Sequence, residues 1–186
     1  MQYISTGIYG LIVVEPKVFE DARGYFYESY NENKFRENGI NIRWVQDNQS
    51  RSTYGVLRGL HYQLEPKAQS KLVRVIEGEI LDVAVDIRKG SPTFKKWFGI
   101  RLSAQNKKQL LIPKGFAHGF SVLSPTAIVF YKCDEFYAPE TERGIRYDDY
   151  ELDIDWELPA DQAILSNKDN ILPLLKNAEM NFDFHG

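Results

Sequence analysis

Lys71-Leu72-Val73-Arg74-Val75-Ile76-Glu77-Gly78-Glu79-Ile80-Leu81-Asp82-Val83-Ala84-Val85-Asp86-Ile87 holds two apolar, β-branched runs joined by a Gly-Glu turn. Both have the length of strands rather than helices, and in the second run alternation puts Asp82, Ala84 and Asp86 on one face. The same pattern recurs on either side. Residues 56–63 precede the first run across a loop carrying Pro66, and Gly90-Ser91-Pro92 makes a turn after the second. Residues 98–103, 109–112, 117–123 and 127–132 continue the series, separated by short polar or Pro/Gly breaks. Many short strands at close spacing, with no intervening rhythm of helices, predict an all-β sandwich or barrel.

Upstream, residues 8–14 read as a first strand that Pro16 ends, followed by a tight turn at residues 21–24 into a strand of alternating aromatics. Residues 33–38 form the clear early helix, with an asparagine before it and Gly39 closing it. Residues 44–50 resume as a strand whose polar side chains are odd for a core face. After Pro139 the chain turns acidic and loop-like, with Trp156 and Ile171-Leu172-Pro173-Leu174-Leu175 expected to pack back on the body. No linker interrupts it. The expectation is one domain over 1–186 with a C-terminal appendage from about residue 139.

With 186 residues, 43% of them apolar and 13% aromatic, the chain can bury a sizeable core. A net charge of −3, with charges spread along the chain, leaves no nucleic-acid footprint. Cys133 is the only cysteine, so neither a disulfide framework nor a cysteine-based metal knot is expected. The N-terminus lacks the regions of a signal peptide and no apolar run spans a membrane, which predicts a cytoplasmic protein.

The residues that invite chemistry centre on His61, one of only three histidines. A histidine on an apolar strand is ordinarily a core residue bonded to backbone. Here Arg58 and Lys71 bring positive charge toward it, which favours the neutral imidazole that a base must be. An imidazole near its ordinary pKa of about 6.5 is too weak to deprotonate carbon beside a ketone unless the enolate oxygen is stabilised, and Lys71 is the candidate for that task. Alternation along the strand separates Lys71 from Arg74, and a solvated edge is the plainer reading of both. Tyr131, in Ala127-Ile128-Val129-Phe130-Tyr131-Lys132, is either a core tyrosine with its hydroxyl satisfied at the rim or a general acid. Arg23, Glu28, Gln46, Asn48 and Arg58 are polar residues set into apolar strands; each is weak alone, and together they can bind a diphosphate and a base edge. Pro113-Lys114-Gly115-Phe116-Ala117-His118 has the P-x-G-x-x-H form of cupin barrels. A metal cupin also needs an H-x-H pair, and the earlier strand offers His61-Tyr62-Gln63, with His185 a poor substitute in the tail. A metal site is therefore not expected.

Taken together, Asp21-Ala22-Arg23-Gly24-Tyr25-Phe26, Val45-Gln46-Asp47-Asn48, Leu57-Arg58-Gly59-Leu60-His61-Tyr62-Gln63, Lys71-Leu72-Val73-Arg74, Asp82-Val83-Ala84-Val85-Asp86-Ile87-Arg88, Ile112-Pro113-Lys114-Gly115-Phe116-Ala117-His118-Gly119-Phe120, Tyr131-Lys132 and Leu165-Ser166-Asn167-Lys168-Asp169 resemble the dTDP-4-dehydrorhamnose 3,5-epimerases of the cupin superfamily, in register from about residue 10 to 175. The resemblance implies an all-β cupin-type jelly-roll barrel with a few short helices toward the two ends. It also implies no metal or other cofactor, and a homodimer in which residues cross the interface. The implied substrate is dTDP-4-dehydro-6-deoxy-D-glucose, a dTDP-4-keto-6-deoxy-hexose. Inversion at C3 and C5 gives dTDP-4-dehydro-L-rhamnose for dTDP-L-rhamnose biosynthesis. It makes His61 the base paired with Asp169, Lys71 the group that stabilises the enolate, and Tyr131 the acid acting from the opposite face. It assigns Arg23, Glu28, Gln46, Asn48, Arg58, His118, Glu142 and Lys168 to the nucleotide sugar, with Arg23 and Glu28 reaching across the dimer, and Phe19 and Tyr137 to the walls of the nucleotide site. Gln69-Ser70 departs from the family's frequent glycine before Lys71, and the tail after Leu175 has no counterpart. The competing readings are a nucleotide-sugar 3- or 5-mono-epimerase or 3,4-ketoisomerase, a metal-dependent cupin oxygenase, and a non-catalytic sugar-nucleotide binding module.

Overall fold

A computed structural model of the chain describes residues 1–185. Thirteen strands dominate it: β1 (Gln2–Ser5), β2 (Ile12–Glu15), β3 (Val18–Asp21), β4 (Gly24–Tyr27), β5 (Gln46–Thr53), β6 (Leu57–Gln63), β7 (Lys71–Glu77), β8 (Glu79–Asp86), β9 (Trp97–Ser103), β10 (Gln109–Ile112), β11 (Phe116–Val122), β12 (Thr126–Cys133) and β13 (Glu142–Gly144). The α-helices are short, α1 (Glu32–Glu37) and α2 (Asn167–Asn170).

Two antiparallel sheets face each other as a jelly roll. One has six strands in the order β1-β2-β10-β7-β12-β5, the other five in the order β13-β6-β11-β8-β9, and β3-β4 is a separate hairpin. β7 and β8 follow one another through Gly78, yet they belong to different sheets, so the chain turns a corner of the barrel there. Gly78 has φ +78°, and a Cβ on it would run into the Thr126 carbonyl, so the corner requires glycine.

The barrel core fills the space between the sheets. Val13, Val73, Val75, Leu110, Ile112, Ala127 and Val129 from one sheet meet Ile80, Ala84, Leu102, Phe116, Phe120 and Val122 from the other. A second cluster covers the outer face of the five-stranded sheet, where Leu57, Tyr62, Leu81, Val83 and Val85 pack against Ile145, Leu152, Trp156, Leu175 and Phe182. β8 is therefore buried on both faces, which explains why apolar residues occupy both faces of the strand around Asp82. On the six-stranded sheet, Val14, Leu72 and Leu111 receive Phe35 of α1. The Asn31 side chain caps that helix by accepting from the Lys34 amide at 3.2 Å.

Most strands expected from the sequence appear within a residue or two of their expected bounds. Three expectations need correction. The first strand is β1, and residues 8–14 hold only its partner β2, because Leu11 turns back to Ile8 by a 3.1 Å backbone bond. The acidic segment after Pro139 is not all loop, since β13 pairs with β6 through Glu142, Arg143 and Gly144. Of the apolar run at 171–175, Leu175 is buried but Ile171 is 83% exposed. The tail docks on the loop after β8, where the Lys89 amide donates to the Phe182 carbonyl at 2.8 Å and the Phe184 amide to the Lys89 carbonyl at 2.9 Å. None of the described residues is in a helix long and apolar enough to cross a membrane.

Candidate active site

One cavity of about 430 Å³ opens between the sheets, and Arg58, His61, Lys71, His118, Tyr131, Lys168 and Asp169 all line it. Four strands and one helical turn bring these residues together. β6 carries Arg58 and His61, and His118 on β11 is the register partner of His61. The two strands approach closely here. A Cβ on Gly59 would sit 2.5 Å from the Gly119 Cα, so both positions keep the backbones near enough for the histidines to share a wall. On the opposite sheet Lys71 of β7 faces Cys133 of β12, and Tyr131 lies one pleat away. The Lys71 Nζ stands 5.8 Å from the centre of the Tyr131 ring.

His61 and Asp169 meet. The imidazole Nε2 is 2.5 Å from Asp169 Oδ1, so the Nδ1 atom is left for a ligand. The Ser166 hydroxyl donates to Asp169 Oδ2 at 2.8 Å and, as the cap of α2, accepts from the Asp169 amide at 3.1 Å. Asp169 is buried at 3% exposure, which opposes ionisation, but the hydrogen bonds from His61 and Ser166 outweigh burial and hold its carboxyl below the usual range. The segment that carries it is anchored to β6, since the Leu57 amide donates to the Ile164 carbonyl at 3.0 Å.

The other titratable groups are shifted mainly by burial. Loss of solvent lowers the pKa of Lys71, against the opposing influence of Cys133, Asp82 and Glu142. Burial likewise lowers that of His118, whose Nε2 is 2.8 Å from Asp82 Oδ1. Tyr131 moves the other way, because burial disfavours its phenolate more than nearby Arg58 favours it. The site thus combines a neutral tyrosine with a lysine that deprotonates more readily than usual.

At the mouth, Glu142 accepts from the Tyr137 hydroxyl at 2.6 Å and from Lys168 Nζ at 2.5 Å. Burial opposes its ionisation, and these two partners more than compensate. The Tyr137 amide donates to Gln46 Oε1 at 3.0 Å, and Gln46 Nε2 to Asn48 Oδ1 at 3.1 Å. Gln46, Asn48, Tyr137, Glu142 and Lys168 therefore form one connected rim. Three sequence candidates lie elsewhere within this chain. Phe19 and Arg23 sit on the β3-β4 hairpin, where Arg23 pairs with Asp21 at 2.6 Å, and Glu28 is engaged by Lys34 at 2.6 Å. Arg74 points to the outer face of its sheet and donates to the Tyr27 hydroxyl at 3.2 Å.

Gln63 is a structural residue. Its amide donates to the carbonyls of Lys67 and Phe136 and its oxygen accepts from the Ala138 amide, pinning the loop above the site. Sequence reading missed Ser166 and the His118–Asp82 pair. The Ser166-Asn167-Lys168-Asp169 spacing is a capping pattern that signals the first. An aspartate inside an apolar strand signals the second.

A histidine–carboxylate pair, a half-buried lysine and a tyrosine converging on one cavity inside a jelly roll define an acid–base enzyme of the carbon-epimerising kind. Comparison with known proteins makes the class particular. The family model described as dTDP-4-dehydrorhamnose 3,5-epimerase matches residues 5–177. The dTDP-4-dehydrorhamnose 3,5-epimerase of Methanothermobacter thermautotrophicus is 54% identical over 178 residues, 95% of this chain and 96% of that one. The enzyme of the same name from Shigella flexneri is 56% identical over 170 residues, 91% and 93% of the two chains. The crystal structure of a dTDP-6-deoxy-D-glucose-3,5-epimerase from Legionella pneumophila in complex with dTDP-4-keto-L-rhamnose superposes with a TM-score of 0.95 at 50% identity, covering 100% of this chain and 99% of that one. The chain belongs to the dTDP-4-dehydrorhamnose 3,5-epimerase family, and its activity is that 3,5-epimerisation in dTDP-L-rhamnose biosynthesis.

Proposed function

We propose that the chain binds dTDP-4-dehydro-6-deoxy-D-glucose in this cavity and inverts C3 and C5 with its own side chains. The observation that carries the reading is the His61–Asp169 contact at 2.5 Å, across the cavity from Lys71 and Tyr131. His61 Nδ1 takes the proton from the carbon beside the C4 ketone, and the C–H electrons move into an enolate whose charge rests on O4. Asp169 stabilises the imidazolium that forms. Lys71 donates to O4, a stabilisation the substrate ketone needs far less than the enolate does. Tyr131 then gives its hydroxyl proton to the same carbon from the other face, after which solvent takes the proton from the His61 imidazolium and returns one to the Tyr131 phenolate. C3 and C5 both flank C4, so one ketone and one set of groups serve both inversions. Arg58, His118 and the rim of Gln46, Asn48, Tyr137, Glu142 and Lys168 bind the nucleotide and sugar; dTDP-4-keto-L-rhamnose in the Legionella relative supports that use of the site.

Incubation with substrate in D₂O, followed by NMR at each carbon, tests this reading. The expected result is deuterium at both C3 and C5. Label at one carbon alone reduces the enzyme to a mono-epimerase. In Tyr131→Phe, wash-in of deuterium continues while inverted product falls by about 10²-fold or more. Equal loss of both removes Tyr131 from the acid role.

The residues that stay outside the cavity support a second element of the proposal, a homodimer in which Phe19, Arg23 and Glu28 of one chain complete the partner's site. The β3-β4 hairpin lies outside both main sheets, and Phe19, Tyr25 and Phe26 on it are exposed. Sedimentation equilibrium should give twice the chain mass, and Arg23→Ala should raise KM roughly 10- to 100-fold, the worth of one charged hydrogen bond. Exchanging subunits between Arg23→Ala and His61→Asn should restore activity, because one site of each mixed dimer is then intact. A monomer, or mixed dimers without recovered activity, overturns the shared site. The reading is completed by a single jelly-roll domain over residues 1–186 working in the cytoplasm, a compartment that suits the unpaired, buried Cys133.

A further inference from the structure

Beneath the cavity lies a carboxylate with unfinished hydrogen bonding. Asp82 belongs to the inward face of β8, between Ile80 and Ala84 of the barrel core, and has no exposed surface. Its Oδ1 is 2.8 Å from His118 Nε2. Its Oδ2 is buried and has no hydrogen-bond partner among the described residues. A buried carboxylate oxygen without a partner is unfavourable, and native structures seldom keep one without a use. Lys71 is complementary to it, since its amine faces the same interior and makes no ion pair among the described residues.

We propose that Asp82 is a positioning residue for the epimerisation, holding His118 with one oxygen and supplying with the other the negative charge that faces Lys71 from inside the barrel. Accepting the Nε2 proton orients the His118 ring and selects its tautomer, leaving Nδ1 as an acceptor. Burial lowers the affinity of Lys71 for its proton, and an enolate needs an ammonium rather than an amine. Several groups bear on that ammonium. β12 presents Cys133 and Tyr131, β13 presents Glu142, and β6 and β11 present Arg58, His61 and His118. Cys133 is held neutral by burial, with its pKa near 11, and Glu142 is neutralised by Lys168. Of the two carboxylates that act on Lys71, Asp82 is the one without a lysine or arginine partner.

The inference rests on Lys71 as the group that stabilises the enolate, so its test separates coupling from chemistry. In the Asp82→Asn enzyme, kcat should fall about tenfold with KM nearly unchanged. The alkaline limb of the kcat profile and the NMR titration of Lys71 Nζ should both move about one unit to lower pH, a tenfold change in the protonation equilibrium. Asp82→Glu, which keeps the charge, should restore most of that titration. A purely structural residue would lower Tm and leave both titrations in place, and that result overturns the proposal. So does a glutamate variant shifted as far as the asparagine one. If the asparagine variant does not fold, the carboxyl carbon of Asp82 in the unaltered enzyme must report the Lys71 titration, and a flat response is equally fatal. If the titrations are coupled but Lys71→Met retains turnover, the catalytic reading of Lys71 fails instead.

Discussion

Replacing His61 by asparagine abolishes deuterium incorporation at C3 and C5 together and lowers turnover by on the order of 10²–10⁴-fold, the range for losing a general base. The joint loss follows from the geometry. Both imidazoles in the cavity bond an aspartate through Nε2, but only that of His61 has its carboxylate fixed from behind by a serine hydroxyl, Ser166. The second imidazole, His118, has its distal nitrogen tied to Asp82 within the core. If His118 were an independent base, one carbon would still exchange in the His61 variant, and the single-base account would fail. Asparagine suits the test because it stays polar beside Asp169, so circular dichroism and Tm should remain close to those of the parent enzyme.

Lys71→Met gives the second large effect and couples catalysis to stability with opposite signs. Turnover should fall on the order of 10²–10³-fold, the cost of losing one donor to a developing oxyanion, while KM changes little. Stability should not fall. Burial lowers the affinity of Lys71 for its proton below the ordinary value of 10.5. Between the two values the unfolded chain binds more protons than the folded one, so the parent enzyme gains stability from this site as pH rises through that interval. Below the interval the folded protein carries a desolvated ammonium at a penalty that methionine does not incur. Denaturant titrations should therefore find the variant at least as stable as the parent near neutrality, with the difference shrinking in the alkaline range. A variant that is markedly less stable near neutrality would show that Lys71 serves packing rather than catalysis.

Local chemistry in this chain was legible in the sequence; the assignment of strands to sheets was not. β7 and β10 have their expected bounds because apolar runs that stop at Gly78 and Pro113 offer the backbone few alternatives. β1 escaped notice because Gln2, Ile4 and Ser5 are exposed and carry no alternation. β13 escaped because three residues are too few to show a period. The turn at Gly78 reads the same whether its strands pair or part, and only contacts distant in sequence send β7 and β8 to opposite sheets.

The same division holds at the site. His61, Lys71 and Tyr131 announced themselves as polar residues in apolar strands. Asp169 lies 108 positions from the histidine it touches, and no local pattern encodes that approach. Phe19, and the reach of Arg23 and Glu28 across a dimer, came from resemblance alone, and a single chain leaves all three residues outside the cavity.

The placement of Asp169 has an evolutionary corollary. The imidazole is built into a sheet strand, whereas its carboxylate rides on a single helical turn fastened by the Ile164 carbonyl on one side and, through Asp149 and the Leu175 amide, on the other. Substitutions between those two fastenings can adjust the basicity of the imidazole without disturbing a strand. Barrel architecture and proton affinity are thereby separable traits, and selection can retune the second for a new sugar while inheriting the first intact.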